Sequence, residues 1–518
     1  MLVSTKHKAL ILNSRNPERI KKVIPKVKQF EYRGTPLLAL PHVVEVVRIL
    51  RNLGIDAPAP ISYYYEWAGM YAPYMEQHET AAMLSQHNRA YCLNSMGTGK
   101  TLASLWAYDY LRSQGIVKRL LVVAPLSTLE RTWGDTVFEH FPDLRCVSLY
   151  GAASKRRKLL AKPADIYVVN HHGLAILQDD LKQRPDIDLV IYDELSVVKN
   201  SKTSLWKAAN HVINGPILRK AWGLTGTPMS DSPLDVWGQV KLITPWQAQG
   251  RFSQFREQIM FPSGPFSWIP RKGYLDVLHR MMQPAVRFTL EECVDLPEQV
   301  FIERHAPLTP EQNKAFKDMI GKLRAEYAAG EILAVNEAVK VGKLLQISAG
   351  VAYDIHGKEV LLPSGPRLSA LEELIDESEG SVIVFVAFSG VLRSVVEFLS
   401  RRYSTAFIDG GVKKYDRDRI FGEFQKNGFK VLVAQPKTMS HGLTLTAATT
   451  IVWYGPITSN ETFEQANARI RRPGQKKTTV VAALTGTPLE RKLFNRLRTK
   501  QNTQGQLLDL FKTHEEEL

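Results

Sequence analysis

The sequence predicts an α/β protein with two parallel-sheet lobes, helical insertions and a small N-terminal α+β domain. Three observations carry that expectation. Short apolar, β-branched runs recur with helical patterns between them, as strands covered by helices on both faces do. The runs fall into two groups, separated by a stretch of different character. One run leads into Met96-Gly97-Thr98-Gly99-Lys100-Thr101 and then a helical pattern, the strand–loop–helix order of a phosphate-binding turn.

Taken in chain order, residues 1–60 form the N-terminal accessory domain, with the basic run "ERIKKVIPKVKQFEYR" and then the helix-like "PHVVEVVRILRNLG". Residues 61–247 form the first lobe. Its strand-like runs are "RLLVVAP", "DIYVVN", "DLVIYDE" and "KAWGLTGTP". After the phosphate turn, Leu102, Leu105, Trp106 and Tyr110 recur on one helical face. Residues 248–365 read as a connector with helical insertions: "FPSGPFSWIPRKGY" is rich in Pro, Gly and aromatics, and helical patterns follow from Pro310 to Leu345. Residues 366–518 form the second lobe, with "SVIVFVAF", "STAFIDG", "KVLVAQP", "TTIVWYGP" and "TTVVAAL". The last residues, "THEEEL", read as a frayed acidic end.

Composition narrows the class. A chain of 518 residues exceeds one ordinary domain, and a formal charge of +15 suits a polyanionic partner. Cys92, Cys146 and Cys293 are scattered, so neither a disulfide framework nor a zinc cluster is expected, and an intracellular, cytoplasmic setting fits. His171-His172 lacks the companions a metal site needs. No secretory leader or membrane span is expected, since no run approaches 18 apolar residues.

The chemistry-bearing residues are few. Gly97 and Gly99 let the backbone close on phosphate oxygens, Lys100 reaches the β- and γ-phosphates, and Thr101 offers a hydroxyl to Mg²⁺. Asp193 and Glu194 end an apolar run, where a parallel strand points its last residues into the ligand crevice. There Asp193 holds Mg²⁺ and Glu194 orients and deprotonates the attacking water. Thr225 and Thr227 end a further strand and can couple to those carboxylates. Near the C-terminus, Gln465, Arg469 and Arg472 are candidates for the phosphoryl chemistry. The i, i+3 spacing of the arginines suggests one helix face. Trp453 and Tyr454 read as packing rather than base-stacking residues. The basic runs "SKRRK" and "RIKKVIPKVK" fit polynucleotide contacts and solvated faces equally well.

The order of these stretches resembles a superfamily 2 helicase-type ATPase of the Snf2-like branch. "NSMGTGKT" is similar to motif I, in a branch that does not require the first glycine, where Asn94 stands. "APYMEQHETAAML" resembles the Q-type motif, which would place Gln77 at adenine. "LVVAPLSTLERTW", "VVNHHGL", "YDELSVVKN" and "LTGTP" resemble motifs Ia, Ib, II and III. "IVFVAFSGVL", "SHGLTLTAA" and "QANARIRRPGQ" resemble motifs IV, V and VI. Ser196 stands where motif II often has His, and Thr444 where motif V often has Asn.

The resemblance implies two RecA-like lobes that hold ATP and Mg²⁺ between them, through Met96 to Thr101 on one side and the arginines on the other. It also implies a DNA track through Ser127, Thr128, Asn170, His171, Ser389, Lys437, Thr438 and Thr444. The implied activity is ATP-driven translocation on duplex or branched DNA with little sequence preference, in repair, recombination or replication. A compact monomer of bacterial or phage type is expected, with replication or recombination proteins as candidate partners. The alternatives are a strand-separating helicase and a nucleotide-gated DNA-binding protein with negligible turnover.

Overall fold

Valine and isoleucine favour the pleated strand, and a strand buried on both faces needs apolar residues at every position. The nine strand-like runs approach that condition, and each is a strand of one of two parallel sheets. The computed structural model describes residues 1–264, 268–328, 334–353, 359–439 and 444–509. The chain divides into two units, built on Met1–Cys293 and Val294–Thr503. The stretch 248–365 is shared between them.

The first unit opens with a four-stranded antiparallel sheet: β1 (Leu2–Ser4), β2 (Ala9–Leu12), β3 (Lys28–Tyr32) and β4 (Thr35–Pro41), in the order β1-β2-β4-β3. One face packs Leu10, Leu12, Leu38 and Leu40 against the helices Pro17–Val23 and Val44–Asn52. The main sheet of the unit has β5 (Arg89–Cys92), β6 (Arg119–Ala124), β7 (Cys146–Ser148), β8 (Ile166–Asn170), β9 (Ile187–Asp193) and β10 (Lys220–Leu224). A hairpin of β11 (Met260–Pro262) and β12 (Trp268–Pro270) follows, and β13 (Ala285–Val286) returns to the main sheet. Its order is β13-β5-β10-β9-β6-β8-β7, every pair parallel. Two cores flank it, one on each face. The helix Lys100–Ser113 buries Leu105, Trp106 and Tyr110 as its pattern predicts. It buries Ala103, Ala107, Tyr108 and Leu111 as well, so it is enclosed nearly all round.

The second unit carries β14 (Gln299–His305), the hairpin β15 (Val351–Tyr353) and β16 (Glu359–Leu361), then β17 (Ser381–Phe385), β18 (Thr405–Ile408), β19 (Val431–Ala434), β20 (Ala448–Trp453) and β21 (Thr479–Thr485). Six of these form a parallel sheet in the order β14-β21-β20-β17-β19-β18. The helices Pro310–Ala328 and Ala334–Ala349 supply the expected helical insertion. Trp453 is fully buried against Phe385 and Phe463, with centroids 4.7 and 4.9 Å away, so it is a packing residue. Where β20 and β21 end lies a buried ion pair. Arg367 meets Glu490 at 2.8 Å and donates to the Tyr454 carbonyl at 2.6 Å. Glu490 also accepts from the Gly486 and Thr487 backbone N–H groups. "THEEEL" lies outside the described residues.

Candidate functional site in the first unit

At the C-terminal end of β5 the chain turns through Asn94–Gly99 into the helix Lys100–Ser113. Gly97 and Gly99 take φ of 89° and 76°, a left-handed conformation that other residues adopt at a cost. Gly99 has a second constraint: a Cβ there would run into the Gln77 amide. Gln77, buried on the helix Met75–Gln86, therefore lies against the phosphate turn, and its Oε1 accepts the Tyr74 N–H at 3.1 Å. Lys100 Nζ donates to the carbonyls of Asn94 and Ser95 at 2.9 and 3.0 Å, and Thr98 Oγ1 donates to Ser95 at 2.9 Å. The result is a tight loop with a helix N-terminus behind it, the donor geometry that binds phosphate.

Asn94 explains why no glycine is needed at the start of the turn. Its Nδ2 donates to Thr80 Oγ1 at 2.8 Å, and its Oδ1 accepts the Phe288 N–H at 2.9 Å. It staples the turn to one helix and to the strand extension after β13. From below, Arg287 donates to the Leu93 carbonyl at 2.6 Å. The sequence marks Asn94 only as the residue at the first-glycine position, without these bonds, and Arg287 is not singled out, because its partner lies far along the chain.

Two strands away, β9 ends in Asp193-Glu194. Asp193 Oδ2 accepts from Trp133 Nε1 at 3.0 Å, and Oδ1 accepts the Glu194 N–H at 3.1 Å. Trp133 sits in the π-helical turn Leu129–Gly134, an irregularity that often marks functional sites. Burial pushes the Asp193 carboxyl above its usual range, opposed by the Trp133 bond and the Lys100 charge. Burial also lowers the Lys100 ammonium, opposed by Cys92, Glu194 and Asp193. Glu194 has φ 54° and ψ 59°, a left-handed backbone that a non-glycine residue holds only where its surroundings impose it.

The strand between, β10, ends in Thr225-Gly226-Thr227. Gly226 abuts the phosphate turn, where a Cβ would meet the Asn94 carbonyl at 3.3 Å. The expected hydroxyl–carboxylate coupling is not made. Thr225 Oγ1 accepts the Thr227 N–H at 3.1 Å, and the buried Thr227 Oγ1 has no partner among the described residues.

The residues expected on a DNA track divide into two sets. Ser127, Ser389, Lys437 and Thr444 are exposed, and Thr438 is half-buried. Thr128, Asn170 and His171 instead turn inward. Thr128 Oγ1 donates to the Pro125 carbonyl, Asn170 Oδ1 accepts from Arg156, and His171 Nε2 meets the Asp193 carbonyl at 2.9 Å. Burial pushes the His171 imidazole down to about 4, so it is neutral, and it stacks on Tyr192. Thr128 and His171 satisfy backbone carbonyls at a loop and a strand end, whereas Asn170 holds a buried guanidinium.

In the second unit, Gln465 is buried on the helix Asn460–Asn467. The expectation that Arg469 and Arg472 share a helix face is corrected: the helix stops at Asn467, before either arginine. Arg472 precedes Pro473, which disfavours helical backbone, and Gly474 at φ 99° turns the chain away. Gln475 fixes this turn by donating to the carbonyls of Thr446, Ala448 and Ile470. Arg469 is buried, and Arg472 is half-buried with Nε on the Ala468 carbonyl at 3.2 Å. At the C-terminal ends of β17, β19 and β20 a cleft of about 470 Å³ opens, lined in part by Phe388, Gln435, Lys437, Ser459 and Thr462.

A phosphate turn, a lysine and an acidic pair on neighbouring parallel strand ends define a nucleoside-triphosphatase site. The SNF2-related domain model matches residues 77–351, and the helicase conserved C-terminal domain model matches residues 366–474. The chain belongs to the SNF2-related family, as an ATP-hydrolysing enzyme of the helicase-like class. Protein p41 of Acyrthosiphon pisum secondary endosymbiont phage 1 is 26% identical over 391 residues, covering 72% of this chain and 83% of that one. The Arabidopsis thaliana ATP-dependent DNA helicase DDM1 is 23% identical over 463 residues, covering 82% of this chain and 60% of that one. The chain spans less than two thirds of several such larger relatives. A solved structure, the Sulfolobus solfataricus SWI2/SNF2 ATPase core in complex with dsDNA, superposes with a TM-score of 0.41 at 21% identity, covering 84% of this chain and 93% of that one. No helix among the described residues is long and apolar enough to cross a membrane.

Proposed function

We propose that the protein is an ATP-dependent translocase on duplex or branched DNA, acting in repair, recombination or replication. The observation that carries the reading is the convergence of Lys100, after β5, with Asp193 and Glu194, at the end of β9, on either side of β10 in one sheet. The phosphate turn from Met96 to Thr101 binds the triphosphate, with Gln77 against it. Thr101 and Asp193 are hard oxygen donors that suit Mg²⁺, which when bound would neutralise phosphate charge. Glu194 takes the proton of the attacking water, with the Lys100 charge beside it and Asp193. Arg469, Arg472 and Gln465 supply the charge stabilisation of phosphoryl transfer. The exposed Ser127, Ser389, Lys437 and Thr444, with the half-buried Thr438, contact the DNA backbone, while Thr128, Asn170 and His171 hold the loops beneath. The basic excess of the chain supports a polyanionic track.

The test is the ATPase rate on single-stranded, duplex, forked and four-way DNA and on RNA, at two salt concentrations, with Glu194→Gln as control. Duplex or branched DNA should stimulate turnover most, and the effect should weaken at higher salt. Glu194→Gln should cost about 10²–10⁴-fold in rate while nucleotide binding persists. Turnover at the control level on every substrate would defeat the reading. Fork unwinding without triplex displacement would favour a strand-separating helicase.

A further inference from the structure

The two parallel sheets are packed on both faces, but the N-terminal sheet is not. Its inner face is closed by Ile20, Val46, Val47 and Leu50 of the two helices. Register fixes what lies on the outer face. Leu2, Ile11, Ala39 and Lys28 form one row across β1, β2, β4 and β3. Phe30 pairs with Leu37 and Tyr32 with Thr35 on the same side, since alternate residues of a strand share a face. This apolar surface is open: Leu2 is 70% exposed, Tyr32 56% and Phe30 38%. Every residue of β3, an edge strand, is exposed.

The surroundings are basic. Residues 1–60 contain eleven Lys and Arg against four Asp and Glu, nearly half of the excess of the whole chain. Lys28 stands in the apolar row, Lys26 lies two residues before it, and the Arg33 guanidinium lies 5.3 Å from the Tyr32 ring centroid. Lys26 and Lys28 make no ion pair among the described residues. Two aromatic rings on one open sheet face, ringed by cations, are complementary to a ligand with both π-faces and negative charge. Single-stranded nucleic acid has both, whereas a duplex hides its base faces in the stack.

We propose that the outer face of β1-β2-β4-β3 is a second polynucleotide site that binds single-stranded DNA or RNA by stacking bases on Phe30 and Tyr32, with Lys26, Lys28 and Arg33 on the phosphates. It is separate from the motor chemistry. It gives the chain a grip on unpaired strand while the parallel-sheet units act on other DNA.

The test uses the full chain without nucleotide and a fluorescently labelled oligothymidylate. The double variant Phe30→Ala/Tyr32→Ala should lose about tenfold or more in affinity, and Phe30→Tyr/Tyr32→Phe should keep it. Lys28→Gln should flatten the salt dependence by about one counterion. ATPase stimulation by blunt duplex should be unchanged in all three, so failure here and failure of the motor reading are told apart. Thermal melts confirm that the surface variants fold. Unaltered oligothymidylate binding by the alanine variant would overturn the proposal. So would an equal loss of duplex binding, or a dimer of the parent chain that the alanine variant dissolves, which would make a second copy the occupant.

Discussion

The two parallel sheets share an architecture and differ at their C-terminal edges. In the first unit the edge is filled by two bonded sets, the phosphate turn with Lys100, and Asp193 with Trp133 and the Glu194 N–H, which feel each other through charge. In the second unit the edge opens into a cleft. Its charged groups lie beside that cleft, in the Arg367–Glu490 pair where β20 and β21 end, and in a turn after a helix, where Arg469 and Arg472 sit. The lesson is that a parallel sheet offers the same ligand crevice twice. Which edge is assembled in advance depends on what the loops donate to each other.

The largest expected effect tests whether the second edge rests on its buried pair. Arg367→Met leaves Glu490 charged and without its cation, at a cost of about 3–5 kcal/mol. Hydrogen exchange should rise across β20 and β21 while β5 and β9 hold their protection. Uniform loosening of both sheets would erase the contrast.

A smaller effect tests how dry the first edge is. His171 titrates near 4 when folded and near 6.5 when unfolded, so between those values only the unfolded chain takes the proton. Stability should therefore be full above pH 6.5, fall as the pH drops toward 4, and level off below it. The loss is up to about 3 kcal/mol. His87, also pushed down to about 4 by burial and by Arg51 and Arg48, adds a parallel slope. His171→Asn should reduce the pH dependence of melting without abolishing it. An unchanged slope would place His171 in a wetter setting than its contacts describe.

The smallest effect sharpens the role of Asn94. Restoring the usual glycine by Asn94→Gly removes two hydrogen bonds with buried partners and should destabilise by about 1–3 kcal/mol. A neutral or stabilising outcome in thermal melts would show that the staple is dispensable.

These contrasts also explain what was legible in the sequence. The nine long strands were, because each is a continuous apolar run. β13, with two residues, and β7, with three, carry too little pattern, and edge strand β14 interleaves charged residues. The phosphate turn and the acidic pair were legible because glycine, lysine and carboxylate need no distant partner to declare themselves. Trp133 and Arg287 were not singled out, since their partners lie 60 and 194 residues away. The same cause misplaced the arginines. Spacing alone suggested a helix, whereas Pro473 and the Gln475 bonds to distant carbonyls set the turn.

Glu194 carries a consequence for anyone who would harden this protein. A left-handed backbone at a residue with a Cβ stores roughly 1 kcal/mol, which glycine would release. A screen for heat resistance alone would therefore favour replacing the residue proposed here as the proton acceptor, and on that proposal its most robust winners would be idle machines.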